Sequence, residues 1–323
     1  MNNDLSLDVD VAVVGGGPGG LQAALTLGRA RRDVVVFDAG PARNARAPHL
    51  QNFITRDGTP PAEFRRLGHQ ELARYPTVQR IDARVTAIEG EADAFVVVSD
   101  DGRRVRALRV FLALGVIDEP LPLPGIADIW GISSAQCPYC HGYEVRDQPL
   151  AIYTPSAMLL EHAGSLLGWS DNLTALTNGA DFVDDAMRAQ AKDAGVTLDE
   201  RVIAHLDSVD GHLQQVVFVD GGTRPAAFLF AHPAQRQTPL VQGLIDSHGL
   251  KLDDNGSVAV DDFKRTNVAG LYAFGDCSTR MQTAVGAAAS AMMAAAFPTE
   301  PTMRGVLPAR RRAALRARAK TAG

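Results

Sequence analysis

The sequence predicts an α/β fold built from two nucleotide-binding-type domains of three-layer ββα architecture. Three observations predict it. A β-branched run meets a glycine cluster near the N-terminus, the same order of elements recurs in mid-chain, and the pattern returns after residue 270. At 323 residues the chain is long enough for two domains with separate cores.

The first element spans Val9 to Asp38, "VDVAVVGGGPGGLQAALTLGRARRDVVVFD". A strand over Val11–Val14 leads to G-x-G-x-x-G at Gly15, Gly17 and Gly20, a helix from Gly19 to Ala30 follows, and a strand over Val34–Phe37 ends on Asp38. This is a Rossmann-like βαβ unit. Gly15 permits the tight turn, Gly17 lets the backbone approach a pyrophosphate, and Gly20 lets the helix pack on the strand. The helix N-terminus offers free N–H groups to phosphates, and Asp38 lies where a carboxylate accepts adenosine-ribose hydroxyls. Short strands are expected at Val85–Ile88, Phe95–Val98 and Arg103–Ala107, then a separate apolar run at Val110–Gly115.

The second half repeats the plan. Leu150–Tyr153 reads as a strand, Ala157–Leu167 as a helix and Asn172–Leu176 as a strand. A meander is expected from His205–Val209, Leu213–Val219 and Ala226–Phe230. The loop after the first of these strands, Thr154–Met158, contains no glycine, and Pro155 removes a donor. There is no Lys or Arg between Arg146 and Arg188 to meet the extra phosphate of NADPH. This half is expected to keep the fold of a nicotinamide-nucleotide domain without its ligand; a site built from unusual parts is the alternative. The chain then returns to the first pattern. A strand at Leu271–Phe274 ends in Gly275-Asp276, suited to ribityl hydroxyls, and a small-residue helix runs from about Thr283 to Ala296.

Composition excludes several classes. A formal charge of −5 gives no pull toward nucleic acid or anionic membrane. No run of about 20 apolar residues is present, and the polar start "MNNDLSLDVD" lacks the signature of a signal peptide. Three cysteines fit a reducing cytoplasm. The basic stretch Pro308–Gly323 reads as a solvated tail, with docking to an acidic partner as the alternative.

Ala135–Glu144, "AQCPYCHGYE", carries C-x-x-C-H. Haem attachment belongs to exported proteins. A structural zinc needs two further ligands, whereas Cys277 is remote and the other histidines show no ligand spacing; no metal is expected. A dithiol/disulfide couple of Cys137 and Cys140 remains, with two buried free cysteines as the bland alternative. A helix N-terminus would lower one thiol's pKa, and His141 would exchange its protons. Cys277 is read as a packed small hydrophobe.

With these residues placed, the chain resembles the low-molecular-weight thioredoxin reductase family over nearly its whole length. The matching pieces are Val13–Gly20, Arg43–Phe53, Leu112–Gly125, "CPYCHG" and Leu271–Thr279. The resemblance implies an FAD-binding domain made of residues 1–118 and 240–323, with a central domain, 119–239, carrying the redox pair. It implies that Cys140 faces the flavin while Cys137 meets substrate. It puts cofactor contacts at Gly15, Gly17, Pro18, Gly19, Gly20, Asp38, Asn44, Asn52, Val85, Gly115, Gly275, Asp276, Thr283 and Ala284, and it suggests a homodimer. Two departures, His141 where ordinary members have Asp and the missing NADPH parts, resemble the dithiol oxidase branch that closes the disulfides of gliotoxin, holomycin and romidepsin. The function this implies is oxidation of a small-molecule dithiol with oxygen as acceptor. The rivals are a reductase fed by NADPH or by ferredoxin, and a redox-sensing flavoprotein without turnover.

Overall fold

The computed structural model describes residues 7–296; the basic stretch Pro308–Gly323 lies outside them. β1 (Leu7–Val14) leads through the glycine turn into α1 (Pro18–Arg29) and back to β2 (Val34–Phe37). The two strands run parallel, from Val11 opposite Val34 to Val14 opposite Phe37. All of these residues are buried, as central parallel strands covered on both faces require. α2 (Pro61–Leu72) and β3 (Val78–Ile81) follow, then β4 (Val85–Glu89), β5 (Phe95–Ser99) and β6 (Arg104–Leu112). The sequence suggested two strands between Arg103 and Gly115. One is found, because β6 pairs with β1 without interruption between Val9/Ala107 and Val14/Leu112 apart from the Asp10 position.

The inserted segment begins with β7 (Ile117–Asp118), α3 (Ile126–Ile129), β8 (Ser134–Ala135) and the one-turn α4 (Pro138–His141). β9 (Leu150–Tyr153), α5 (Ala157–Ala163), a 3₁₀ turn over Gly164–Gly168, β10 (Leu173–Leu176), α6 (Asp185–Asp193) and β11 (Thr197–Asp199) follow. Then come β12 (Ile203–Val209), β13 (His212–Phe218), β14 (Thr223–Pro225), β15 (Phe228–Phe230) and β16 (Gln235–Arg236). A parallel sheet has the order β11-β10-β9-β15-β8, and β12-β13-β14 form an antiparallel meander. The expected third meander strand, Ala226–Phe230, is replaced by β14, and Phe228–Phe230 joins the parallel sheet instead. Pro225 has no N–H with which to extend the meander, and the wholly buried Phe-Leu-Phe run suits a sheet covered on both faces.

The chain returns through α7 (Pro239–His248), β17 (Leu271–Ala273) and α8 (Ala284–Ala296). β17 lies parallel to β6, Leu271 opposite Val110, in a sheet otherwise ordered β3-β2-β1-β6-β5-β4. Ala291, Ala294 and Ala295 of α8 pack in one core with Ala23, Ala24 and Leu27 of α1. The small residues of α8 thereby serve close approach to α1 within the unit.

The chain divides into two units: residues up to Ala42, Ala62–Ile117 and those from Gln237 onward, and Arg43–Pro61 with Asp118–Arg236. Arg43–Pro61, assigned from the sequence to the first domain, belongs to the second unit. Its arginines explain this. Arg43 forks onto the Asp118 carboxylate at 2.6 and 2.7 Å, and Arg46 donates to the Ala127 and Asp128 carbonyls at 2.6 and 2.9 Å.

Candidate functional site

In the first unit the glycine turn sits at the C-terminal end of β1, where the strand order reverses between β1 and β6, the position at which α/β sheets bind ligands. Gly15 has φ +118°, and its N–H donates to the Phe37 carbonyl at 2.9 Å. A Cβ on Gly20 would run into the Gly15 carbonyl, whereas one on Gly17 would meet nothing within 4 Å. The turn is therefore closed on the sheet side and open at Gly17. α1 begins with Pro18 after Gly17, with neither a side-chain cap nor an acid in its first turn. Its first N–H groups are left for a phosphate. Gly19 packs against α8: a Cβ there would lie 3.3 Å from the Ala287 carbonyl oxygen.

Asp38 follows β2 and is buried. Arg65 Nη2 donates to both carboxylate oxygens at 2.7 Å, the Gly40 N–H reaches Oδ1 at 3.1 Å, and His69 Nε2 lies 3.1 Å from Oδ2. Burial raises the carboxyl pKa, but the hydrogen bonds from His69, Arg65 and Gly40 together outweigh it and hold the group below the usual carboxylate range. Arg65 and His69 were missed in the sequence. Their signal was the i, i+4 spacing that puts both on one face of α2.

The other expected cofactor residues divide. Gly115, after β6, has φ +69° and open space where a Cβ would stand. Gly275 has φ +71°, and Asp276 lies beside it in the short turn after β17. Thr283 caps α8: its hydroxyl accepts the Gly286 N–H at 3.0 Å, and Ala284 opens the helix. Val85 is buried in the core of the first unit, so its side chain is committed to packing. Asn44 and Asn52 lie in the segment that belongs to the second unit; Asn52 is held at φ +58° with its N–H on Asp57 Oδ1 at 2.7 Å. The first unit thus fits the pyrophosphate and ribose of a dinucleotide on its own residues.

In the second unit Cys137 and Cys140 form a disulfide, with Cα atoms 5.3 Å apart. Cys137 is the N-cap of α4 and Pro138 its first residue; the Cys140 N–H donates to the Cys137 carbonyl at 3.2 Å. The helix is a single turn, so the field at Cys137 comes from that turn's few amides rather than from a long dipole. His141 lies tilted over Phe228 with ring centroids 5.7 Å apart. Both its ring nitrogens are buried, and neither makes a hydrogen bond of normal geometry. Burial lowers the imidazole pKa from 6.5, against weaker pulls from the Cys137 main chain and Glu144, so the ring is neutral at pH 7. Phe228 was missed because only the sheet brings it beneath residue 141.

The loop after β9 has no glycine, and it leaves the sheet through the same main-chain bond as the first loop. The Thr154 N–H and hydroxyl both donate to the Leu176 carbonyl, at 2.9 and 3.3 Å, and Ser156 starts α5 without a side-chain cap. Asn178, just after β10, accepts the Ile203 N–H at 2.7 Å. Arg201 and Arg224 both bind the buried Asp199, at 2.7 and 3.1 Å. Cys277, in the first unit, is fully buried and its thiol is pushed up to about 12 by burial; it packs as a hydrophobe, as its sequence context suggested. Among the described residues no three His, Cys, Asp or Glu side chains converge as a metal site, and no helix is long and apolar enough to cross a membrane.

The pyridine nucleotide-disulphide oxidoreductase family model matches residues 9–291. Thioredoxin reductase aclD of Aspergillus oryzae is 36% identical over 290 residues, covering 85% of this chain and 90% of the relative. The structure of HlmI superimposes with a TM-score of 0.84 at 32% identity, covering 100% of this chain and 99% of the other. An oxidoreductase from Agrobacterium tumefaciens gives a TM-score of 0.83 at 33% identity over 90% of this chain and 97% of the other.

Proposed function

The chain belongs to the pyridine nucleotide-disulphide oxidoreductase family, with a thioredoxin reductase-like fold, and from that premise we propose that it is an FAD-dependent oxidase of small-molecule dithiols. FAD, the cofactor of this family, is received by the glycine turn, α1 and Asp38. When bound it supplies the two-electron acceptor for the reduced cysteine pair and the route of those electrons to molecular oxygen, released as hydrogen peroxide.

The protein's own residues perform the thiol chemistry. One substrate thiolate attacks Cys137, breaking the Cys137–Cys140 bond and forming a mixed disulfide. The second substrate thiol then attacks the substrate's own sulfur in that disulfide, releasing Cys137 and a closed substrate disulfide. Two electrons stay on the cysteine pair, and the neutral His141 takes the proton of each attacking thiol in turn and returns it to the cysteine sulfur that leaves, first Cys140 and then Cys137. Exchange is fastest when the attacking thiol's pKa lies near ambient pH, so a neutral base at this position is of use. We infer that Cys140 is the cysteine that would hand the electrons to the flavin, and that the enzyme works as a cytoplasmic homodimer.

One observation carries the direction of electron flow. The loop after β9 has no glycine, and its Pro155 offers no N–H, which argues against NADPH as donor. The test is optical and anaerobic, mixing the yellow protein with NADPH or with a small dithiol such as dithiothreitol. Bleaching by the dithiol alone, with colour returning in air, is expected; rapid bleaching by NADPH would establish a reductase instead. Cys140→Ser should retain flavin and lose dithiol-dependent oxygen uptake by at least about a thousandfold, as expected when a covalent redox centre is removed.

A further inference from the structure

The turn that carries the disulfide leans on a residue about thirty positions further along the chain. Gly142 follows α4 with ordinary right-handed dihedrals, φ −68° and ψ −34°, so the backbone conformation does not call for glycine. Space does. A Cβ on residue 142 would lie 2.7 Å from the Pro138 carbonyl oxygen and 2.8 Å from both Cδ1 and Nε1 of Trp169. The same indole stands edge-on to Tyr139, between the two cysteines in sequence, with ring centroids 5.3 Å apart at 86°. The Trp169 carbonyl accepts the Asp147 N–H at 2.9 Å, which ties down the segment leaving the turn. Trp169 is itself anchored: its N–H donates to the Leu166 carbonyl at 2.9 Å, and its ring packs on the core of Leu150, Leu166 and Leu173.

We propose that Trp169 is the positioning residue of the redox pair, an inference that rests on reading Cys137–Cys140 as a working couple. Opening the disulfide frees the two sulfurs, and only the turn then keeps them near bonding distance. A turn backed by a fixed indole presents each thiol to the other at high effective concentration. Its loss leaves the dithiol form free to spread and shifts the equilibrium toward reduction. Glycine at 142 is the complement of this contact, since a Cβ there would meet the indole as well as the Pro138 carbonyl.

The experiment equilibrates the flavin-loaded protein anaerobically with glutathione and glutathione disulfide. One Cys137–Cys140 disulfide and two glutathione thiols give the dithiol and one glutathione disulfide, and alkylation with mass spectrometry counts the thiols. Trp169→Ala should move the equilibrium constant toward the dithiol by tenfold, about 30 mV for two electrons. A shift below fivefold, or toward the disulfide, would overturn the proposal. Trp169→Phe should recover most of the wild-type value; a Phe variant shifted as far as the Ala variant would also overturn it. Should Trp169→Ala fail to fold, Trp169→Leu decides by the same fivefold limit, because it keeps an apolar side chain on the core and removes the planar indole from the turn. A wild-type pair that does not titrate reversibly would sink the redox reading itself. A normal wild-type titration with unshifted variants would sink only the role of Trp169.

Discussion

The loops after β1 and after β9 stand at the same place in the same strand–helix–strand order, yet they are made of different residues. Both helices begin without a side-chain cap or an acid in the first turn, but the first loop is glycine-rich and Gly17 faces open space. The second has no glycine and its Pro155 offers no donor; its Thr154 N–H bonds Leu176 as the Gly15 N–H bonds Phe37, and the Thr154 hydroxyl adds a second bond to the same carbonyl. The strands beneath do not differ in kind. β9 and β10 are as fully buried as β2, and both pairs lie parallel in register. The core of such a unit is held by apolar strands and does not require the loop chemistry, so a nucleotide-binding fold survives a change in what its loop can hold. The helices carry the same contrast, twelve residues in α1 against seven in α5.

The largest expected effect comes from closing the first loop. Gly20→Val places a branched Cβ against the Gly15 carbonyl, and the purified protein should lose bound flavin altogether, read as the ratio of visible to ultraviolet absorbance. Ser156→Val, at the second loop, should leave that ratio unchanged; a loss of flavin there would break the comparison.

Next in size is His141→Asn, expected to slow dithiol oxidation by about a hundredfold, the lower range for a general base. The sign of the pH effect follows from burial. The imidazole is neutral above its lowered pKa, so wild-type activity should hold at the ordinary histidine value of 6.5 and fall only as pH drops further through the lowered pKa, and the variant's profile should lose that limb. A retained limb would assign it to another group.

Asp38→Asn should weaken FAD by about tenfold, or about 1.4 kcal/mol, measured by flavin fluorescence on rebinding to apoprotein. Asp38 is held below its ordinary value of 3.8, so its contribution to stability is present above that value and is lost as pH falls toward the folded pKa. The variant's stability should accordingly depend less on pH in this acid range. The smallest effect belongs to Cys277→Ala, which should leave turnover and the cysteine-pair titration unchanged while costing about 1 kcal/mol of stability for the lost buried volume.

Much of this was legible in the residues. Val11–Val14, Val34–Phe37 and Leu150–Tyr153 announce buried parallel strands because such strands need unbroken apolar runs. The glycine triplet and the two-residue gap between Cys137 and Cys140 announce their turns for equally local reasons. Strand ends were less secure: β6 runs through the expected break near Leu108, and Phe228–Phe230 left the meander for the parallel sheet. Nothing in the local spacing distinguishes those alternatives, since partner strands decide them.

By itself the sequence determined the βαβ units, the glycine-rich and glycine-free loops, the cysteine pair and the packed character of Cys277, all of which depend on periodicity, turn chemistry and residue size over a few positions. Only the tertiary structure decided that Arg65 and His69 hold Asp38, that Arg43–Pro61 joins the second unit, that Phe228 underlies His141, and that Trp169 fills the space left by Gly142. These groups lie 27 to 87 positions apart along the chain, apart from the segment assignment. The closing of the sheets determines their meeting, because the energy of such contacts depends on the whole packed arrangement and leaves no periodic trace in either partner's neighbourhood.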